Sequence, residues 1–489
     1  MKNKVQLITY VDRLTGGGFN ALKAMLEGPM QGLFGTVHAL PFFPPIDGAD
    51  AGFDAIDHTT VDRRLGDWAD VKTLSTGTDV MADMIVNHIS AQSAPFQDFL
   101  EKGAASEFAE MFLTYGKVFP EGATEADLMA IYRPRPGFPF TKMRFGDGTQ
   151  HLVWTSFTEM QIDIDVKSTQ GAAYLDRIFD AFKAGGVSSI RLDAAGYAIK
   201  KPGTSCFMIP ETYEFLGELA QKAKARDMDV LVEIHSYYQD QIDIAKRVDR
   251  VYDFALPPLV LHALYTGDAA PLANWLEISP RNAITVLDTH DGIGVIDAGA
   301  ATDGRPGLLT PSQIDNLVET MHEKSGGTSR EATGAKASNM DLYQVNSTYF
   351  DVLGQNEAAY LIARAVQFFV PGIPQVYYVG LLGGTNDMEL LRRTDVGRDI
   401  NRHYYGAGEV EAALATPMVA ELCDLIRFRN THPAFEGEFT LNVLSSSVLE
   451  LVWENGEARA VLSVDFATKA ATVRHAAGTG TEERFVIGG

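Results

Sequence analysis

The residues best able to do chemistry in this chain stand at the ends of short apolar runs. Asp193 closes VSSIRLD, with Arg191 two positions earlier. Glu233 and His235 close DVLVEIH. Asp288, Thr289, His290 and Asp291 follow AITVL, and Asn87-His88 follow VMADMIV. A lone acid at such a place is ordinarily a helix cap or a solvated loop residue. Asp193, Glu233 and Asp291 together on one rim have a different meaning. Like charges raise one another's pKa, and burial adds to the effect. One carboxyl group can then keep its proton while its neighbour stays ionised. Cleavage of a glycosidic bond needs that division, since one carboxylate attacks the anomeric carbon and one acid protonates the leaving oxygen. Strand alternation puts Arg191 and Asp193 on one face, where the guanidinium is expected to hold Asp193 ionised. A His/Asp/Glu cluster is also metal-ligand chemistry, but no HExxH-type spacing accompanies it.

These residues need elements that converge. Eight β-rich segments are found: 5–10, 36–42, 80–87, 187–193, 229–235, 251–256, 283–288 and 373–379. Most are continuous apolar runs rather than alternating ones, as for strands buried on both faces. Helical periodicity separates most of them, for example GAAYLDRIFDAFKAGG and ETYEFLGELAQKAKARD. Eight strand–helix repeats predict an α/β fold, a closed parallel (β/α)8 TIM barrel with its site at the C-terminal ends of the strands. A doubly wound sheet is the competing architecture, but no GxGxxG follows the first strand.

Two connections are too long for simple crossovers. The expected division is a barrel of residues 1–87, 169–291 and 356–434, an inserted domain at 88–168 after the third strand, a second insertion at 292–355 after the seventh, and a C-terminal all-β domain at 435–489. The tail alternates, and its ENG (454–456) reads as a hairpin turn.

The chain has 41 basic and 64 acidic residues, a formal charge of −23. That argues against nucleic acid or an anionic membrane as partner, and an anionic substrate would need a local cationic pocket. Two distant cysteines, Cys206 and Cys423, give no disulfide framework or zinc spacing. The N-terminus shows no apolar run of secretory length, and no stretch suits a membrane span. A cytoplasmic protein is the expectation.

The strand-end segments DMIVNH (83–88), IRLDAAGY (190–197), VEIH (232–235) and LDTHDG (287–292), with QIDID (161–165), resemble the signature segments of the α-amylase clan, glycoside hydrolase family thirteen. The resemblance implies Asp193 as nucleophile, Glu233 as acid/base and Asp291 as transition-state stabiliser, with Arg191, His88 and His290 supporting the glucosyl site. Within the clan the chain is most similar to the sucrose phosphorylases, on GADAGFDAIDH (48–58), YRPRPGFPFT (132–141), EIHSYY (233–238), ASNMDLYQVNSTY (337–349), VYYVGLLGGTND (376–387) and GRDINRHYY (397–405). That likeness implies retaining transfer from sucrose to inorganic phosphate, giving α-glucose 1-phosphate and fructose, with no cofactor and no metal. It places Asp50 and Arg398 on glucosyl hydroxyls, and Phe53 and Phe157 as an apolar wall. Tyr132, Arg135, Tyr197, His235, Asp341, Tyr343 and Gln344 would serve the acceptor side, with Arg135 and His235 as cations for phosphate. It also makes a homodimer an expectation. The same machinery with another acceptor would serve sucrose 6′-phosphate, glucosylglycerol, glucosylglycerate or water. A non-catalytic amylase-like binding protein is the reading from outside enzymes, and the three retained acids speak against it.

Overall fold

The computed structural model describes residues 1–48, 50–133, 137–301, 303–333, 344–478 and 481–488. Eight parallel strands close into a barrel: β1 (Gln6–Thr9), β2 (Thr36–Ala39), β3 (Asp79–Ile85), β4 (Ser189–Asp193), β5 (Asp229–Val232), β6 (Arg250–Asp253), β7 (Ala283–Thr285) and β8 (Ile373–Tyr377). Each pairs with its sequence neighbour, and β8 closes on β1 through Gln6 opposite Gln375. All eight expected segments overlap one of these strands. Their side chains are buried almost throughout, which is why the sequence shows runs rather than alternation.

The barrel interior is a packed core. Met81, Leu231, Tyr252, Phe254, Ile284, Val286 and Ile373 form one apolar cluster within it. Three of its polar residues, Gln6, Tyr252 and Gln375, are hydrogen-bonded in a chain. The Tyr252 hydroxyl donates to Gln375 Oε1 at 2.9 Å, and the Gln375 amide donates to Gln6 Oε1 at 3.0 Å. Each such buried group would cost free energy if left unpaired.

The first long connection carries two small antiparallel pairs. Phe140–Arg144 pairs with Gln150–Trp154, and His88–Ser90 pairs with Gln161–Asp163. The second pair sets His88 opposite Asp163, so the insertion is tied to the barrel rim beside the expected site. The connection after β7 holds a helix that sequence periodicity did not single out, Pro311–Lys324, started by a Thr310–Gln313 capping box and a proline in its first turn. Ile293–Gly294 pairs with Gln344–Val345, which returns the end of this insertion to the rim. The tail is a five-stranded antiparallel meander, β9 (Glu438–Val443), β10 (Val448–Asn455), β11 (Ala458–Asp465), β12 (Ala470–Ala476) and β13 (Glu483–Ile487). Gly456, at φ 58°, makes the turn between β10 and β11. The meander shares one apolar core with the barrel helices, and the Trp453 indole donates to the Phe369 carbonyl at 2.7 Å. Among the described residues no helix is long and apolar enough to cross a membrane.

Candidate active site

A pocket of about 630 Å³, counting its open mouth, lies at the C-terminal face of the barrel. Asp50, Asp193, Glu233 and Asp291 are its acids. Phe53, Phe157 and Tyr197 are its apolar walls, and His88, His235, His290, Gln344 and Arg398 complete it together with Gln161 and Ala194. These side chains come from the connections after β2, β3, β4, β5, β7 and β8, so residues far apart in sequence meet because parallel strands all end on one face.

Asp193 is the last residue of β4. The next residue, Ala194, adopts a left-handed conformation (φ 52°, ψ 19°). This is costly for a residue with a Cβ and is concentrated at functional sites. It turns the chain sharply and brings Tyr197 back over the pocket. Arg191 and Asp193 share a strand face as expected, and the guanidinium Nη1 donates to Asp193 at 2.8 Å. The same nitrogen also donates to Asp83 on β3 at 2.6 Å, and Asp83 in turn meets His38 Nε2 at 2.9 Å. Arg191 Nη1 is thus divided between two carboxylates, and the residue lies beneath the pocket rather than lining it.

The charge balance differs from the sequence expectation. Burial is the largest influence on the Asp193 carboxyl. With Glu233, Asp83 and Asp291 nearby, it pushes that carboxyl well above the usual carboxylate range, against the pull of Arg191. One guanidinium divided between two carboxylates does not offset desolvation plus three like charges. Arg191 Nη1, at 2.8 Å, is the contact that favours the ionised form of Asp193, and burial with the neighbouring acids opposes it.

Asp291 is the opposite case. Burial raises its carboxyl, but Arg398 at 2.8 Å and Arg402 at 3.9 Å outweigh that and hold it well below the usual range. The His290 ring stacks on Phe53 with centroids 4.8 Å apart, and burial lowers its pKa to about 3, so it is a neutral donor or acceptor. His88 is also lowered by burial, and its Nε2 meets the Phe53 carbonyl at 3.0 Å. Phe157 packs on both His88 and Tyr197.

Of the other expected residues, Tyr132 stands one ring behind the pocket, stacked on Tyr197 and Phe207. Arg135, Asp341 and Tyr343 lie outside the described residues. Gln161, whose segment QIDID gives no local sign of a pocket role, lines the pocket and donates to Asp50 at 3.0 Å. A second unforeseen group is Lys200, whose buried ammonium lies 2.7 Å from buried Asp163 and 2.8 Å from Asn87 Oδ1, and also donates to the Tyr197 carbonyl. Asp163 accepts from Ser156 through both its amide and its hydroxyl. One lysine thereby ties β3, the first insertion and the turn after Asp193 together. Lys200→Ala leaves Asp163 buried without its cation and is expected to cost about 3–5 kcal/mol. Urea unfolding checks this, and pairing the change with Asp163→Asn should recover part of the loss.

Glu233, His235 and Asp291 bring ligand-capable atoms within 4.8 Å of one another, the one such trio among the described residues. Arg398 already supplies the cation at Asp291 and would oppose a second one.

A closed parallel barrel with a pocket of paired carboxyl groups at its C-terminal face defines a glycoside-active enzyme of the α-amylase kind. The profile of the alpha amylase catalytic domain matches residues 35–254. A sucrose phosphorylase of Agrobacterium vitis is 66% identical over 473 residues, 97% of each chain. One from Bifidobacterium adolescentis is 54% identical, across 95% of this chain and 92% of its own. The crystal structure of sucrose 6F-phosphate phosphorylase from Thermoanaerobacter thermosaccharolyticum, 38% identical, superposes with a TM-score of 0.92 over 100% of this chain and 98% of that one. The chain belongs to the sucrose phosphorylase family of the α-amylase clan.

Proposed function

We propose that the chain catalyses the reversible phosphorolysis of sucrose to α-glucose 1-phosphate and fructose. The observation that carries this is the pocket itself, where Asp193, its carboxyl pushed up by burial and acidic neighbours, and Glu233 stand beside Asp291, whose carboxyl is held well below the usual range. Family membership supplies the donor and the acceptor.

Asp193 attacks the anomeric carbon while Glu233 gives its proton to the fructosyl oxygen. The C1–O bond breaks, fructose leaves, and the glucosyl unit is held as an ester of Asp193. A phosphate oxygen then attacks C1 and Asp193 leaves as carboxylate. Two displacements return the α configuration. Asp291, held anionic by Arg398, stabilises positive charge developing on the sugar. Asp50 with Gln161, and Arg398, hold glucosyl hydroxyls, and Phe53 and Phe157 exclude water from the scissile bond.

Phosphate must enter a pocket with four acids in a chain of charge −23. Arg135 supplies a cation on the acceptor side, suited to bidentate contact with phosphate oxygens. Arg135→Ala is expected to reduce phosphorolysis about tenfold or more relative to hydrolysis. Equal loss of both, in a phosphate titration with glucose and glucose 1-phosphate assayed separately, contradicts the role.

The segment DLYQVNSTY (341–349) has no lysine or arginine, which favours neutral fructose over a phosphorylated leaving group. The direct test compares kcat/KM for sucrose and for sucrose 6′-phosphate, both with inorganic phosphate. Preference for sucrose supports the assignment, and preference for the phosphorylated sugar reassigns the leaving group while keeping the chemistry.

A further inference from the structure

His235 and Asp297 form a buried dyad at the edge of the pocket. Asp297 lies in the short turn Ile296–Ala298 of the second insertion and is fully buried. Its Oδ2 lies 2.9 Å from His235 Nδ1. Its Oδ1 accepts from the Ser236 amide at 3.2 Å and from the Gln241 side chain at 3.0 Å. Three donors from two elements leave this carboxylate one orientation. The ring proton is then fixed on Nδ1, and Nε2 is the end that gains or loses a proton. That end faces the pocket, 3.8 Å from Glu233 and 3.2 Å from the Gln344 amide. Gln344 can present its nitrogen to a neutral ring or its oxygen to a protonated one.

The surroundings are built to admit the dyad. The ring lies flat on Phe254, with centroids 3.8 Å apart. A Cβ at Gly294 would come within 2.4 Å of Asp297 Oδ2 and 3.2 Å of His235 Nδ1, so only glycine leaves room there. Among the described residues, the charged groups facing His235 are Glu233 from the connection after β5, and Asp291 and Asp297 from that after β7. All three are acids. Burial opposes protonation of the ring, but Asp297 foremost, then Glu233 and Asp291, raise its pKa above the ordinary histidine value. Among the described residues Arg398, which lines the pocket, is paired with Asp291, and Arg191 beneath it with Asp83 and Asp193.

We propose that Asp297 is a positioning residue for the second half of the reaction, fixing His235 with Nε2 toward the pocket as the imidazolium that receives the phosphate dianion. This rests on the phosphorylase reading above. Water needs no cation to reach the glucosyl ester, so the dyad serves acceptor choice rather than bond cleavage.

The test is Asp297→Asn, which keeps the shape and removes the charge, with His235→Gln as a second variant and the double variant to close the cycle. The ratio of phosphorolysis to hydrolysis on sucrose is measured across pH, each variant against the unmodified enzyme, so that phosphate's own ionisation cancels. Loss of a charge-assisted contact is expected to raise the KM for phosphate about tenfold to hundredfold. In Asp297→Asn the rate of hydrolysis should hold within about threefold, as for a group outside the cleavage step. The unmodified enzyme should lose phosphate preference as pH rises through the raised pKa of His235, and Asp297→Asn should lose it at lower pH. The double variant should be no worse than His235→Gln alone. An unshifted profile in folded Asp297→Asn, or equal loss of both reactions, overturns the proposal. If the unmodified enzyme itself makes no glucose 1-phosphate, it is the phosphorylase reading that fails instead.

Discussion

Asp193→Asn is expected to lower sucrose turnover by about 10⁴-fold or more, because removal of the nucleophile removes the route and not merely a contact. The loss should appear equally in phosphorolysis and hydrolysis, since both pass through the same glucosyl ester. Stability should not fall with activity. Asp193 is pushed up by burial and by Glu233, Asp83 and Asp291, so neutralising it relieves like-charge repulsion. Arg191 retains Asp83 at 2.6 Å. A Tm equal to or above that of the unmodified protein, with turnover abolished, is therefore the expected pair of results. A variant that lost activity only through unfolding would show a lowered Tm. A variant that kept most of its turnover would remove Asp193 from the mechanism.

Glu233→Gln is expected to lower the rate on sucrose by about 10²- to 10⁴-fold, the usual contribution of a positioned general acid. Its signature is selectivity by leaving group. Fructose must be protonated to depart, whereas fluoride departs as an anion. With α-glucosyl fluoride as donor, formation of the glucosyl ester should therefore be largely restored. Phosphate arrives already ionised and needs no base, so glucose 1-phosphate should still form from this donor. Water does need a base, and hydrolysis should remain impaired. Glucose and glucose 1-phosphate are assayed from both donors. Equal impairment on both donors would deny Glu233 the acid role.

The barrel was legible because its strands are buried on both faces, which writes itself as eight apolar runs. The acids were legible because each closes one of those runs. Other parts of the site depend on partners that no local pattern names. Lys200 sits in IKKPGT, which looks like a solvated turn, and its partner Asp163 lies on the inserted segment. Asp297 is one acid in a Gly- and Ile-rich stretch, and its partner His235 stands 62 residues earlier. Tyr132 reads as a pocket residue from its segment, but stacking on Tyr197 and Phe207 holds it a layer back. The ionisation of Asp193 could not be read from Arg191 alone, because the competing claim of Asp83 comes from register on the neighbouring strand. Spacing within a segment carries strand direction and side-chain face, whereas competition among buried charges is set by contacts between segments.

In the proposed reaction a glucosyl unit passes from sucrose to phosphate in two displacements at one pair of carboxyl groups. Proton NMR of the unmodified enzyme with sucrose and inorganic phosphate tests it most directly, following the anomeric signals from the first minutes before mutarotation or equilibration. α-Glucose 1-phosphate and fructose are expected in equal amounts, with no β anomer. First-formed β-glucose 1-phosphate would mean a single displacement and would contradict the role of Asp193, and free glucose insensitive to phosphate would contradict phosphate as the acceptor.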